Sequence, residues 1–287
     1  MDVVGFGALN LDRLYCVRRM PVPGEHQPIT EVYECPGGSA ANTVAWLADL
    51  DFKTGFLGAV GRDAEGQKML ADFEKRGVDT SLIQKLDCRS GLVIGFVDSK
   101  GERTLCPYPG ANNHLKLSEE SIQYASNSKI VHLTSFVSER QLDEQKKLVS
   151  GLSKNVRITF APGDLYASKG MGKLKPILKK TFVLFLNEEE TLKLTKLEYK
   201  KGSSKLNKLG VEVVVVTLGD RGCYISSSKE KISVKCKKIK PVDTTGAGDS
   251  FTAGFLAGLL SGKKLEECGK QGNQLAAKCI KTHGARK

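Results

Sequence analysis

The sequence predicts a mainly parallel α/β sheet with helices on both faces, carrying a small extra β-sheet. Three observations lead there. From Ser118 onward, helical and strand patterns alternate regularly, as in successive βα units. Apolar runs such as Val3 to Phe6 and Val211 to Leu218 have the character of strands buried inside a sheet. Between residues 10 and 110, two pairs of short strands break the βα rhythm and do not fit a purely parallel arrangement.

The first strand, Val3 to Phe6, ends in a tight turn through Gly5-Phe-Gly7-Ala-Leu-Asn10-Leu-Asp12. The turn looks like a dinucleotide fingerprint, but the third glycine is missing and no helix follows at once, which argues against a Rossmann dehydrogenase. Leu14 to Met20 and Ile29 to Cys35 are predicted strands, separated by Pro21-Val-Pro-Gly24. Pro36-Gly37-Gly38-Ser-Ala-Ala-Asn42 then leads into an apolar helix, Thr43 to Leu50. Its glycines let a ligand approach the backbone and the helix N-terminus aims at the same spot, although taken alone the residues are better read as a plain strand-to-helix turn.

Strand Gly55 to Val60, helix Ala64 to Arg76 and the turn Gly77-Val-Asp79 follow. Leu92 to Val97 and Arg103 to Pro107, joined by Asp98-Ser-Lys-Gly101, form a second hairpin. The two strand pairs are expected to meet as one sheet that covers a cleft or pairs with a second copy of the chain. Next come a helix from Ser118 to about Ala125, strand Ile130 to Leu133, helix Glu139 to Leu152, strand Val156 to Phe160, a helix near Leu174 to Leu178, and strand Phe182 to Leu186. Hairpin-like strands Cys223 to Ser226 and Ile232 to Cys236 precede two helices, Phe251 to Leu260 and Leu265 to about Ile280, the second ending at His283-Gly284. With no polar linker and no internal repeat, one domain over residues 1–287 is expected, with lid strands inserted at about 13–36 and 91–108.

Lysine plus arginine exceed aspartate plus glutamate by 44 − 32 = 12, which raises the question of nucleic acid. The lysines gather after residue 140, on polar helix faces and hairpin tips, without interleaved aromatics. A solvated basic surface explains them, and no specific nucleic-acid partner is expected. The eight cysteines show no C-x-x-C pair and no histidine spacing suited to zinc. Met1-Asp2 runs straight into a strand, and no apolar run approaches membrane-spanning length. The expectation is a reduced cytoplasmic protein without a membrane partner.

The chemistry concentrates in Asp243-Thr-Thr-Gly-Ala-Gly-Asp-Ser-Phe251. Gly246, Ala247 and Gly248 form a bare turn at the start of a helix, so several N–H groups should point outward as a seat for an anion. Asp249 stands beside those donors and would repel a phosphate, which makes it a candidate base. Asn187-Glu-Glu-Glu190, at the end of a strand, reads first as an N-cap with a capping box, and also as carboxylates that could hold magnesium through water. Thr217-Leu-Gly219-Asp-Arg-Gly222 frees backbone at another strand end, or is simply a hairpin turn.

In this order the motifs resemble the ribokinase-type, or PfkB, carbohydrate kinases over nearly the whole chain. Gly37-Gly38-x-x-Ala41-Asn42 is similar to the N-terminal signature and Asp243-Thr-x-Gly246-Ala-Gly248-Asp249-Ser-Phe to the C-terminal one; Asn10-x-Asp12, Gly101-Glu-Arg103, Asn187-x-x-Glu190 and Thr217-x-Gly219-x-x-Gly222 fall in their expected places. The resemblance implies a doubly wound sheet with a β lid, and phosphoryl transfer from ATP to a hydroxyl. It implies Asp249 as the base and the amides of Gly246, Ala247 and Gly248 as an anion hole. Substrate residues would be Asn10, Asp12, Gly37, Gly38, Asn42 and Arg103, with Asp12 gripping a vicinal diol as a double acceptor. Asn187, Thr217, Gly219, Gly222 and Asn273 would serve the nucleotide, Glu190 a water-held Mg2+, and Asp243 with Thr245 a monovalent cation such as K+.

The chain also departs from the family's pattern. Ser39 stands where some sugar kinases have lysine, and Ala161-Pro-Gly163-Asp-Leu165 replaces the Asp-x-Asn-x-Arg of many hexose-type members. The given sequence ends at Lys287, where relatives commonly continue, which suggests a shortened edge to the nucleotide pocket. The implied acceptor is a ribose-like sugar, free or within a nucleoside, with Phe136 and Tyr108 either stacking a base or filling core. A homodimer through the lid is expected. A catalytically silent sugar-binding relative is the alternative from another class, against which the intact Asp249 and anion turn argue.

Overall fold

The computed structural model describes residues 1–99, 103–282 and 284–286. Lys100, Gly101 and Glu102 of the predicted hairpin turn and motif, and His283 at the predicted helix end, lie outside the described residues. In chain order the elements are β1 (Val3–Phe6), β2 (Asn10–Val17), β3 (Ile29–Gly37), α1 (Ser39–Ala48), β4 (Thr54–Gly61), α2 (Ala64–Lys75), β5 (Ile83–Leu86), β6 (Gly91–Val97) and β7 (Arg103–Tyr108). Next are α3 (Glu119–Ser126), β8 (Ile130–Thr134), α4 (Glu139–Gly151), β9 (Arg157–Ala161), α5 (Gly163–Ala167), α6 (Gly170–Leu178), β10 (Thr181–Asn187) and α7 (Glu188–Thr195). The remainder are α8 (Tyr199–Leu209), β11 (Val213–Thr217), β12 (Cys223–Ser227), β13 (Lys231–Val234), α9 (Ala247–Leu260) and α10 (Leu265–Cys279).

Among the described residues, nine strands form the main sheet in the order β13-β12-β11-β10-β9-β8-β1-β4-β5. From β11 to β5 every pairing is parallel, while β12 and β13 add an antiparallel edge. The winding reverses at β1: later strands β4 and β5 lie to one side, β8 to β11 to the other. Such a switch point opens a crevice at the carboxyl ends of the strands. Here Thr134, ending β8, accepts a hydrogen bond from the Ala40 amide of α1 at 3.2 Å, which brings that helix start to the crevice.

Alternation along β11 shows why the sheet is buried on both faces. Val214 and Val216 pack with Phe6, Leu133, Phe160 and Leu184 on one side, whereas Val213 and Val215 pack with Phe185, Phe251 and Phe255 on the other. A fully buried side chain of this kind contributes roughly 1.5–3 kcal/mol. No helix among the described residues is long and apolar enough to cross a membrane.

The two predicted strand pairs do meet, in a four-stranded sheet of order β3-β2-β6-β7. Its central strands, β2 and β6, run parallel, and each outer pair is antiparallel. Some boundaries differ from expectation. The strand predicted from Leu14 begins at Asn10, because Asn10 already pairs with both Gly37 and Gly91, so Asn10 and Asp12 lie on a strand and not in a turn. The helix predicted from Thr43 begins at Ser39, behind Gly38 at φ 102°. Helices α5 and α8 were not expected: the first is short, and lysines leave the second with a narrow apolar face around Leu206.

Candidate active site

Two helix starts converge on one carboxylate. Gly246 caps α9 in the left-handed region, at φ 75°, and Asp249 follows in the first turn. From α1, Ser39 Oγ donates to Asp249 Oδ1 at 2.5 Å and Asn42 Nδ2 donates to Oδ2 at 2.7 Å. Thr43 completes the seam by donating to the Asp249 carbonyl at 3.3 Å. Burial pushes the Asp249 carboxyl above its ordinary value, while Ser39, Asn42 and the Arg286 guanidinium pull it back.

Of the three amides expected as an anion hole, that of Ala247 is occupied by the Thr244 carbonyl at 3.2 Å. A side chain at Gly248 would meet nothing within 4 Å, so the space over the helix start stays open. That space is a cleft of about 110 Å3, lined by Ser39, Asn187, Glu190, Thr217, Gly248 and Asp249 among others. Asn187 and Glu190 form the predicted capping box: Asn187 Oδ1 accepts from the Glu190 amide at 2.7 Å and Glu190 Oε2 from the Asn187 amide at 3.0 Å. Burial raises the Glu190 carboxyl, the Asn187 amide opposes the shift, and nearby Asp164, Asp249 and Glu189 add to it.

A second groove, of about 320 Å3, passes Gly219, Asp220, Thr244, Ala247, Asn273 and Ile280. Ala247 lines this groove and Gly248 the cleft, so the two adjoin at the start of α9. Gly222, at φ 94°, has no room for a side chain, since a Cβ would fall 2.0 Å from the Val234 carbonyl. Asn273 reaches the Val234 carbonyl at 3.4 Å and so stands at the groove wall.

Asp12 and Gly37 come together closely: a Cβ on Gly37 would lie 2.2 Å from Asp12 Oδ2. Burial pushes the Asp12 carboxyl up to about 7, against the pull of Arg286 and with a push from Asp249. Asn10 is held by buried Asn112, which donates to Asn10 Oδ1 at 3.0 Å and brackets the Leu9 backbone with two bonds of 2.9 Å. On β7, Arg103 reaches across to Thr245 and Asp243 and donates to Thr244 Oγ1 at 3.2 Å.

Asp243 is crowded with donors. It accepts from the Thr245 amide at 2.8 Å, the Thr245 hydroxyl at 2.6 Å and the Gly284 amide at 2.9 Å, besides Arg103. Although burial pushes its carboxyl up, these partners hold it below its ordinary value. With a guanidinium and N–H groups on its oxygens, Asp243 does not fit the monovalent-cation role expected for it. The aromatic candidates also fall elsewhere. Phe136 is core, 5.4 Å from the Phe6 ring, and Tyr108 pairs with Leu92, on the sheet face opposite Asp12.

The chain is similar to known proteins over nearly its whole length. The family model for pfkB family carbohydrate kinases matches residues 1–287. The chain belongs to the pfkB family. An uncharacterised sugar kinase from Archaeoglobus fulgidus is 41% identical over 243 residues, covering 84% of this chain and 96% of its own. A nucleoside kinase from Methanocaldococcus jannaschii is 28% identical over 280 residues, 97% of this chain and 90% of its own. Among solved structures, ribokinase from Thermotoga maritima superposes with a TM-score of 0.89 at 28% identity, covering 99% of this chain and 94% of that one. Arabidopsis thaliana ribokinase, complexed with ribose and ATP, gives 0.87 at 26% identity over 99% of this chain and 94% of that one.

As a pfkB-family sugar or nucleoside kinase, the chain is a phosphotransferase with a hydroxyl acceptor. Sequence reasoning about this pfkB kinase missed three residues. Ser39 was read only as the absence of a lysine, though its place inside the glycine motif was a signal. Asn112 lies in a short 3-10 turn, and Arg286 follows the last helix; no local pattern marks either.

Proposed function

We propose that the chain phosphorylates the primary hydroxyl of a ribose-like sugar, with ATP as donor. One observation carries the reading: Asp249 is close enough to Asp12 to raise its proton affinity, and Arg286 pulls on both acids, which places them in a single half-buried site, one suited to a diol and the other to the reacting hydroxyl. Asp12, with two acceptor oxygens, takes the vicinal diol, and Asn10, Asn42 and the bare Gly37-Gly38 backbone close round the ring. The acceptor hydroxyl lies between Asp249 and the γ-phosphoryl group. Its oxygen forms the new P–O bond as the bond to the β-phosphate breaks, and its proton passes to Asp249. Amides of Gly246 and Gly248 at the α9 N-terminus stabilise the charge on the transferring group. The nucleotide occupies the groove between Gly219 and Asn273.

Among the described residues no group of three or more His, Cys, Asp or Glu side chains converges as a metal cage. One capped carboxylate, Glu190, suits a hydrated Mg2+ that arrives with the nucleotide phosphates, where it would neutralise their charge. No step is assigned to K+.

A nucleoside is the second reading. It is favoured by an open groove of about 600 Å3 lined by Leu14, Tyr33, Val97 and Arg103, on the same sheet face as Asp12, where a base would find room beside Tyr33. The four-stranded sheet then acts as the lid. Its exposed Val32 and Tyr108, with the Tyr15–Phe96 ring pair at 5.9 Å on the same outer face, are the surface for pairing with a second copy; sedimentation as a monomer alone would contradict that. The deciding experiment is a coupled kinase assay with Mg·ATP over pentoses, hexoses and nucleosides, with or without K+. Ribose-type turnover is expected, and turnover of fructose or a keto-acid sugar alone would overturn the reading.

A further inference from the structure

The segment Gly284-Ala285-Arg286 has no part in the chemistry above, yet it is wedged behind the acceptor site. Trp46 Nε1 donates to the Ala285 carbonyl at 2.9 Å, and Gly246 packs so tightly on Ala285 that a Cβ would come within 2.6 Å. Arg286 follows as a buried cation, its side chain only 3% exposed, with the guanidinium 5.1 Å from the Phe73 ring centre. Its donors fan out in three directions. Nη1 reaches Asp72 Oδ2 at 2.6 Å, Nη2 the Gly37 carbonyl at 2.9 Å, and Nε the Asn42 Oδ1 at 2.8 Å.

Two of these bonds end on residues that touch the acidic pair. A side-chain amide has one acceptor and one donor end, so a donor fixed on Asn42 Oδ1 turns Nδ2 toward Asp249. The Gly37 carbonyl belongs to the residue against which the Asp12 carboxylate rests. Asp72, the counter-ion, is on α2 and is shared with Arg76, which also pairs with Asp49.

We infer that Arg286 is a positioning residue for phosphoryl transfer, orienting Asn42 against Asp249 and Gly37 against Asp12 while lending both acids its charge. The inference rests on the kinase reading above. Two half-buried carboxylates side by side favour protonation, and a nearby cation opposes it. The groups acting on Asp12 are Arg286 and Asp249; those on Asp249 are Ser39, Asn42 and Arg286; and Arg286 in turn feels Asp72, Asp12 and Arg76. Cys35 and Glu190 border the same pair. Lysine cannot reproduce the three-way fork, because an ammonium is a compact charge without a planar array of donors.

The test compares wild type with Arg286→Lys, Arg286→Gln and Trp46→Phe, the last loosening the same segment while keeping the guanidinium. Both Arg286 variants should raise acceptor KM and lower kcat, each by about tenfold, and move the acid limb of kcat/KM upward by about one pH unit, with lysine milder than glutamine. Trp46→Phe should lower Tm and leave that limb in place. Arg286 variants that lose Tm but keep the wild-type KM and pH profile would reduce the residue to an anchor and overturn the inference. Carbon-13 NMR of the Asp12 carboxyl gives a readout that does not need turnover: its titration should move up in Arg286→Lys even if the glutamine variant fails to fold, and an unmoved titration overturns the inference. Wild type inactive on every acceptor would instead remove the kinase reading, leaving the NMR result to judge Arg286.

Discussion

Ser39 and Asp249 stand 210 positions apart in the chain and meet through a 2.5 Å hydrogen bond from hydroxyl to carboxylate. With Asn42 on the other oxygen, the acid is aimed before any acceptor arrives. Asp249→Asn keeps the shape and removes the base, so kcat should fall by roughly 10²–10⁴ while acceptor KM changes little. Steady-state kinetics check this, and near-normal turnover would sink the assignment.

The acceptor site should show a pH signature. Burial lifts the Asp12 carboxyl to about 7, well above the ~3.9 of an unfolded chain. Because the folded value is raised, the fold prefers the protonated acid: its stabilisation is complete below about pH 4 and is lost as pH rises through about 7. Without sugar, this contribution to Tm should decline across that window, and Asp12→Asn should remove the decline. Diol binding needs the ionised form, so kcat/KM should rise through the same window. A flat profile, or one unchanged in Asp12→Asn, would contradict the assignment.

Two neighbouring glycines should respond in opposite ways. Gly246 is left-handed and a Cβ there strikes Ala285, so Gly246→Ala should destabilise the fold by about 1–3 kcal/mol, read as a lower Tm. Gly248→Ala meets nothing within 4 Å and should leave Tm nearly unchanged. Its methyl would stand in the cleft beside Asp249, so kcat should fall. Equal Tm losses in the two variants would contradict the geometry.

Glu190 serves both the α7 cap and the cleft, and one substitution separates the two. Glu190→Gln retains an oxygen for the Asn187 amide, so stability should drop by no more than about 1 kcal/mol. The Mg2+ concentration giving half-maximal rate should rise by about tenfold. Magnesium titrations at fixed ATP provide the check, and an unchanged requirement would leave Glu190 as a cap alone.

The main sheet was legible because buried parallel strands such as β10 and β11 are continuous apolar runs, which composition alone reveals. Helix α8 was not, since Lys200, Lys201, Lys205 and Lys208 dominate its composition and its buried face is Gly202, Ser203 and Leu206, which leaves little apolar content to mark it in the sequence. In the candidate site, Asp249, Asn187, Glu190 and Gly222 were visible because each belongs to a short motif with local geometric demands. Arg286 was invisible for the opposite reason. Its partners Gly37, Asn42 and Asp72 lie 249, 244 and 214 residues away, so nothing near it in sequence records what it does.

The parallel pairing of β2 with β6 gives the four-stranded sheet a root and a tip. Both strands leave the main body at one level, Asn10 opposite Gly91, where Asn112 clamps the first of them. Asp12 is two residues from that root, whereas Arg103 pairs with Val97 at the far end of β6. Any tilt of the sheet therefore works as a lever with its fulcrum beside Asp12, the diol contact proposed above. In such a tilt Asp12 would move little, and the Arg103 contacts with Thr244 and Thr245 would be the first to part.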